Sequence, residues 1–516
     1  MKELKKVLLE EVTEFRKAGQ KFLNGELNVA QFKGISGGMG AYAHRGGKEF
    51  MLRLRISSGK TDIKELKRIY GFAEKYKLPS IHLTTRQAIQ LHGLEFDDLC
   101  DLMIECLDYN IFTRGAGGNF PRNVSLSPLA GVDKNEDFDP TPYAIAVGKH
   151  FLKQINTYKL PRKLKVSFSG SEEDAGHAGI ADLGFISSMK GGVKYFKVYV
   201  AGGLGNNPKK AIELKELVKA KDVLYYVEAI TKLFINEGDY ENKNKARIRY
   251  IAERLGEESF VKLFNEYVVE EKENDKLDLN IRSRQIKKEG SIAKIKNKRL
   301  IEQKQVGLYS VYLHPIGGIL ILEDLKKILD KIETFSDIDI RLSMTEGIYF
   351  RNLNGEEAKT ILNLTEDMGG NNLVEQSTAC IGVPICQSGI GNSQELLNSI
   401  ITYFKEKNYE SDVLPRILIS GCQNSCAVHE IGTIGLKGKK KRVGEEIQEA
   451  FTLYINGKCG KDGTELGEEK GDILTTKIPE FLYTLSCYVE NSKLKFNDYM
   501  EQKKKEFEGI IQKNII

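Results

Sequence analysis

The sequence predicts an α+β protein that is internally duplicated, with its two halves related by a pseudo-twofold axis. Three observations predict it. Residues 49–94, running from EFMLRLR to IHLTTRQAIQLHGL, resemble residues 307–353, running from GLYSVYL to IRLSMTEGIYFRNL. Residues 160–185 (LPRKLKVSFSG…) resemble 414–438 (LPRILISGCQN…), each passing from Leu-Pro-Arg through a strand into a loop of small residues. The repeat is far too long for a solenoid. The chain of 516 residues, 41% hydrophobic and 29% charged, has room for two to four globular domains.

The elements follow in order. MKELKKVLLEEVTEFRKAG is charged throughout, with apolar residues at helical spacing. It reads as an amphipathic helix opening an arm over 1–48, not as a secretory signal, and a cytoplasmic protein is expected. In the strand that follows, alternation puts Arg53 and Arg55 on one face and Leu52, Leu54 and Ile56 on the other. A glycine turn leads to a helix with Leu66, Ile69, Tyr70 and Ala73 at i, i+3, i+4 and i+7, and its second copy carries Leu325, Ile328, Leu329 and Ile332. Asp62 and Glu65 make a candidate capping box at the first helix. Each helix is followed by a strand pair. DDLCDLMIECLDY has a helical apolar pattern, which makes Cys100 and Cys106 core residues. Lys163 and Lys165 stand two apart, on one face of a predicted strand. AGGLGNN (201–207) follows the strand FKVYV but lacks the G-x-G-x-x-G spacing, so a tight turn is expected rather than a dinucleotide loop. Residues 236–305 read as a charged helical connection between the halves.

A net charge of +5 is small for this length and does not point to nucleic acid. No apolar run reaches the length that spans a bilayer, so no membrane association is expected.

Eight cysteines remain to be explained. Cys459 and Cys487 lie apart and read as structural. Two pairs stand out: Cys380 and Cys386 in TACIGVPICQSG, and Cys422 and Cys426 in SGCQNSC, a C-x5-C followed by a C-x3-C. Clustered thiols in a reducing compartment suggest metal or catalysis before disulfides. A structural zinc favours tighter knuckles than x5, whereas four thiolates can hold the larger cage of a [4Fe–4S] cluster. A zinc site and unligated core cysteines stay open on spacing alone. The halves differ in kind: Arg53, Arg55, Arg86, Lys163 and Lys165 belong to the first, and Val311 and Leu313 replace the first two in the second, which carries the thiols. A twofold that joins equivalent loops would set a basic pocket against a metal site.

The C-x5-C…C-x3-C pattern, with GCQNSC as its second part, resembles the siroheme and [4Fe–4S] signature of the sulfite and nitrite reductase family. MLRLR, LTTRQAIQLHG, PRNV, LPRKLK and AGGLG follow in that family's order, and the resemblance covers nearly the whole chain. It selects iron–sulfur over zinc. It implies the internally duplicated sulfite/nitrite reductase fold, with ferredoxin-like halves and two siroheme/Fe–S-binding α+β domains. The expected divisions are 49–110 with 306–371, 111–305 and 372–516, with AGGLG as a turn near the siroheme. By the same resemblance, Cys380, Cys386, Cys422 and Cys426 bind the cluster, and Cys426 also bridges to the siroheme iron. Arg53, Arg122, Lys163 and Lys165 line the substrate side. Arg55, Thr84, Arg86, Gln90 and His92 face the macrocycle, with Asn424 close by. The implied reaction is the six-electron reduction of sulfite to sulfide or of nitrite to ammonia. The repeats and linker leave no length for a flavin or nicotinamide domain, so an external one-electron carrier such as ferredoxin is expected. Such carriers are commonly acidic, and LKGKKKRVG (436–444) is a candidate docking patch, or else a solvated loop. Sulfite-reducing members tend to carry lysine at both positions of the Lys163/Lys165 pair, which favours sulfite over nitrite.

Overall fold

The computed structural model describes residues 2–282 and 286–516. Helix Lys2–Leu23 buries Leu4, Leu8, Val12 and Phe15 along one stripe. Helix Val29–Met39 starts with a complete capping box between Asn28 and Gln31. The segment expected as an arm also supplies strand Ala41–Ala43, at the edge of the first sheet.

That antiparallel sheet has the order Ala41–Ala43, Phe50–Leu54, Ile89–Leu94, Ser80–Leu83, Ile319–Ile321. The second has the order Leu300–Glu302, Tyr309–Leu313, Ile348–Leu353, Asp339–Leu342, Lys60–Thr61. Each repeat therefore lends its short strand to the other's sheet. Helices Ile63–Lys75 and Leu322–Ile332 pack on one another, and one apolar core draws on both repeats. Burying both apolar faces together is what holds the repeats as one body.

The capping box expected at the first of these helices forms only by half. Asp62 accepts from the Glu65 N–H (2.8 Å), but the Glu65 carboxylate takes the Thr61 hydroxyl (2.6 Å) instead of reaching back. The second repeat has no acidic N-cap, because Ile321 stands there.

Two further sheets repeat one another strand for strand. In one, Ser125–Leu126, Val166–Ser169 and Leu183–Lys190 run parallel, and Val193–Val200 returns antiparallel. In the other, Thr378–Ala379, Ile417–Ser420 and Ile434–Val443 run parallel, and Glu446–Ile455 returns antiparallel. The register agrees as well: Val166 pairs Leu183 as Ile417 pairs Ile434. Cys422 thereby corresponds to Ser171 and Cys426 to Ala175. Each sheet builds its own core.

The connection between the halves departs from expectation. Helices Ile248–Leu255 and Glu257–Asn274 form, but the described residues from 275 to 299 hold no helix or strand. Leu277, Leu279 and Ile281 alternate at period two and lie extended against the second core. Lys163 and Lys165 also lie just before strand Val166–Ser169 rather than in it, with Leu164 between them bridging to Pro121. No helix among the described residues is long and apolar enough to cross a membrane.

Candidate active site

Strand alternation divides the first sheet. Leu52, Leu54, Ile81, Leu83, Ile89 and Leu91 turn into the core, and the opposite face presents Tyr42, His44, Met51, Arg53, His82, Gln90 and His92 to a cavity of about 310 Å³. That volume is in the range of small-molecule sites. Every residue expected to bind the cofactors or the anion lines this cavity. Arg53, Arg55, Thr84, Arg86, Gln90, His92, Arg122, Lys163 and Lys165 come from the first half, and Cys380, Cys386, Cys422, Asn424 and Cys426 from the second. The Thr85 hydroxyl joins the halves by donating to the Cys426 carbonyl at 2.6 Å.

The cations are held by carbonyls and not neutralised. Arg122 donates to the Ala116 and Gly118 carbonyls (3.0 and 2.8 Å), Arg53 to Ala116 (3.0 Å) and Arg55 to Pro121 (2.9 Å). Arg86 donates to Asn123 and Val166 (3.0 and 2.9 Å). Burial lowers Arg55 and Arg122 to about 10 and Arg86 to about 9, so all three stay charged at neutral pH. Burial, then Arg86 and Arg247, push Lys165 down to about 7. Burial, then Lys165, take Lys163 well below the usual lysine range. Among the described residues neither ammonium has a carboxylate in ion-pair contact. Asp182 instead takes Arg247 (2.8 and 2.9 Å) and the Lys165 backbone N–H (2.8 Å), which fixes the lysine's main chain. Buried positive charge without paired negative charge calls for an anion.

The thiols are set in loops of close backbone approach. A Cβ at Gly421 would stand 2.7 Å from the Gly391 carbonyl. The Gly421 N–H donates to Cys380 Sγ (3.1 Å), and Asn424 donates to Cys422 Sγ (3.4 Å). Among the described residues no three His, Cys, Asp or Glu side chains could hold a single metal ion, the closure a tetrahedral zinc needs. The four thiols line one cavity. Burial and the neighbouring Cys426 push the Cys380 thiol up to about 12, so it is a thiol at neutral pH unless a cation lies against it. The turn at 201–207 packs behind these loops: the Gly205 N–H donates to Glu430 (2.9 Å), and Leu204 reaches the cavity. Cys100 and Cys106 are fully buried, and Cys459 Sγ donates to Asp174 (3.2 Å).

Some cavity residues escaped the sequence reading. Tyr42 and His82 reach this face because they pair with Met51 and Gln90 of neighbouring strands, which alternation within the strand of Arg53 does not give. Lys33, His177 and Glu346 carried no strand signal, because they reach the cavity from a helix and from turns. Burial and the Glu49 carboxylate act oppositely on His44, burial prevails, and its pKa falls below the ordinary value. Burial lowers His82 and His177 to about 4 and His92 well below the usual range. Burial alone would raise the Tyr42 phenol, but Arg122 and Arg53 bring it below its ordinary value.

The chain matches two family profiles. Residues 117–272 match the Nitrite and sulphite reductase 4Fe-4S domain, and residues 42–109 and 301–368 match the Nitrite/Sulfite reductase ferredoxin-like half domain. It is 28% identical to a ferredoxin–nitrite reductase of Synechococcus elongatus, over 81% of this chain and 82% of that one. It is 24% identical to sulfite reductase [ferredoxin] 1 of Mycolicibacterium paratuberculosis, over 84% of this chain and 80% of that one. The solved structure of Mycobacterium tuberculosis NirA protein superimposes with a TM-score of 0.76 at 21% identity, over 89% of this chain and 87% of that one, and so shares the fold.

Proposed function

From the premise that the chain belongs to the nitrite and sulphite reductase family, we propose that it reduces sulfite to sulfide, taking six electrons one at a time from reduced ferredoxin. Membership makes it an oxidoreductase acting on nitrite or sulfite, and implies siroheme and a [4Fe–4S] cluster. When bound, these groups supply a metal site for the anion and a one-electron relay. Cys380, Cys386, Cys422 and Cys426 would hold the cluster, and Cys426 would also help hold the siroheme. Arg55, Thr84, Arg86, Gln90, His92 and Asn424 would hold the macrocycle, whose carboxylates suit guanidinium donors.

The chain's own chemistry lies in its cations. Arg53, Arg122, Lys163 and Lys165 bind and orient the oxyanion in a dry pocket, where charge counts for more than in water. Lys165, poised at about 7, is charged below that value and can donate a proton to a leaving oxygen near neutral pH. As pH rises through 7 its charge is lost, and anion binding weakens.

The observation that carries the reading is a pair of buried lysines, with no carboxylate in ion-pair contact among the described residues, beside four thiols in one cavity. Two ammonium groups suit the dianionic form of sulfite better than monoanionic nitrite. The nitrite reading is favoured by the relative named a ferredoxin–nitrite reductase. Turnover of both anions side by side with a reduced artificial donor decides between them. A kcat/KM for nitrite equal to or above that for sulfite would end the sulfite reading.

For the donor, Lys437, Lys439 and Lys441 are engaged by Glu469 and Asp472. Lys440 and Arg442, on the opposite face of the same strand, remain exposed as the cationic part of a ferredoxin patch. We assign the working domains as 49–110 with 306–371, 111–305 and 372–516, with strands Ala41–Ala43 and Leu300–Glu302 joining the sheets of the first.

A further inference from the structure

The cavity face of the first sheet carries a row of imidazoles that leads outward, and the reductase reading leaves its outer members without a task. His44 Nδ1 faces the Glu49 carboxylate at 3.3 Å, and His44 Nε2 faces His92 Nδ1 at 3.2 Å. His92 Nε2 stands 3.4 Å from His82 Nδ1 and 3.4 Å from one atom of the Gln90 amide. Arg53 decides which atom that is. Its guanidinium, which can only donate, stands 3.0 and 2.6 Å from the other amide atom, so that one is the oxygen and the nitrogen faces the histidines, donating to His82 Nδ1 at 2.9 Å. The Glu49 side chain is 63% exposed and that of His44 10%. The row therefore runs from solvent to the cavity wall.

Few charged groups face it. Burial, then Glu49, act on His44; burial, then His82, His44 and Arg53, on His92; burial, then the Gln90 hydrogen bond and Arg53, on His82. Burial keeps all three neutral at pH 7, and a neutral imidazole has one nitrogen that donates and one that accepts.

Such a row has two self-consistent settings. In the first, His44 Nδ1–H donates to ionised Glu49, His92 Nδ1–H donates to His44 Nε2, and His92 Nε2 accepts from the Gln90 amide. In the second, protonated Glu49 donates to His44 Nδ1, His44 Nε2–H donates to His92 Nδ1, and His92 Nε2–H donates to His82 Nδ1. The second holds one more proton. His92 Nε2 faces the Gln90 N–H and the His82 Nδ1 lone pair at the same distance, and in the second setting that lone pair is shared between His92 Nε2–H and the Gln90 N–H.

We propose that Glu49, His44 and His92 form a proton entry path, passing one proton at a time from solvent to the cavity. Collapse of the second setting into the first breaks His92 Nε2–H and passes that proton to an oxygen of the anion being reduced, or to water beside it, in the cavity that His92 lines. His92 Nδ1 takes the proton of His44 Nε2, and His44 Nδ1 takes that of Glu49. Solvent then reprotonates Glu49 as the tautomers reset, and no electrons move. The path rests on the reductase reading, because reduction of the anion is what consumes the protons.

The test is His44→Ala in the cofactor-loaded enzyme, with Glu49→Gln as a surface variant that does not disturb packing. For His44→Ala, kcat falls at least about ten-fold, while KM for the anion and siroheme per chain stay at the unsubstituted values. Proton uptake on photochemical reduction, followed with an indicator dye, slows in step, and free imidazole restores it. Glu49→Gln slows uptake less. Uptake as fast as in the unsubstituted enzyme for both variants overturns the path. Loss of siroheme from His44→Ala also overturns it, making the row a clamp for the macrocycle. An unsubstituted enzyme that turns over neither anion ends the reductase reading and the path with it, whereas full turnover with indifferent variants ends the path alone.

Discussion

Replacing Glu346 by glutamine should stabilise the protein, and the gain should grow with pH. Glu346 is 2% exposed, in the left-handed region at φ 61°, and accepts the Ala379 N–H at 3.1 Å. Its counterpart in the first repeat is Gln87, at φ 53°. The Gln87 amide accepts from the Leu126 N–H (2.8 Å) and donates to the Leu126 and Leu342 carbonyls (both 2.7 Å). Burial raises the Glu346 carboxyl from 4.5 to about 8, against the opposing pull of the Ala379 N–H. The folded protein then binds a proton that the unfolded chain has released, so this residue lowers stability as pH rises from 4.5 to about 8. At ~1.4 kcal/mol per pH unit that interval caps the loss at ~5 kcal/mol, and relaxation around a buried carboxylate reduces it. Glutamine supplies the same acceptor, adds the donor that Gln87 uses, and never ionises. Urea midpoints of the two proteins should agree near pH 5 and separate by pH 8, with the variant higher. Parallel midpoints across that range would show that Glu346 ionises freely inside the fold.

Three further outcomes are expected. Lys165→Asn removes a buried cation, and kcat/KM for sulfite should drop by at least about ten-fold, and by more than for nitrite; equal losses would break the link between that charge and anion choice. Cys422→Ser should cut iron per chain and the visible absorption of the cluster, whereas full iron content would remove Cys422 from the ligand set. Asp182→Asn leaves the 6%-exposed Arg247 without its ionised partner, at a cost of roughly 3–5 kcal/mol. The same change loosens the Lys165 main chain, so a fall in the urea midpoint should accompany weaker anion binding.

The candidate site was legible where chemistry follows local spacing. Period-two alternation put Arg53 on a face of its own, and the two cysteine pairs announced themselves by residue type. The capping box was half right because Thr61, one residue outside the pattern, competed for the Glu65 carboxylate. The connection after residue 274 was misread because Leu277, Leu279 and Ile281 alternate within a charged run that has the composition of a surface helix. His44 and Glu346 were passed over because their partners, His92 and Ala379, are 48 and 33 residues away.

By itself the sequence determined the duplication, the facing of each strand and the separation of cations from thiols between the halves, because these depend on neighbours within a few residues. Tertiary structure alone decided that Lys60–Thr61 and Ile319–Ile321 change places between sheets, that the nine site residues expected in one half meet the five expected in the other, and that Glu346 loses its charge. Each depends on which distant surfaces exclude water from one another, and burial, unlike periodicity, belongs to the whole assembled chain.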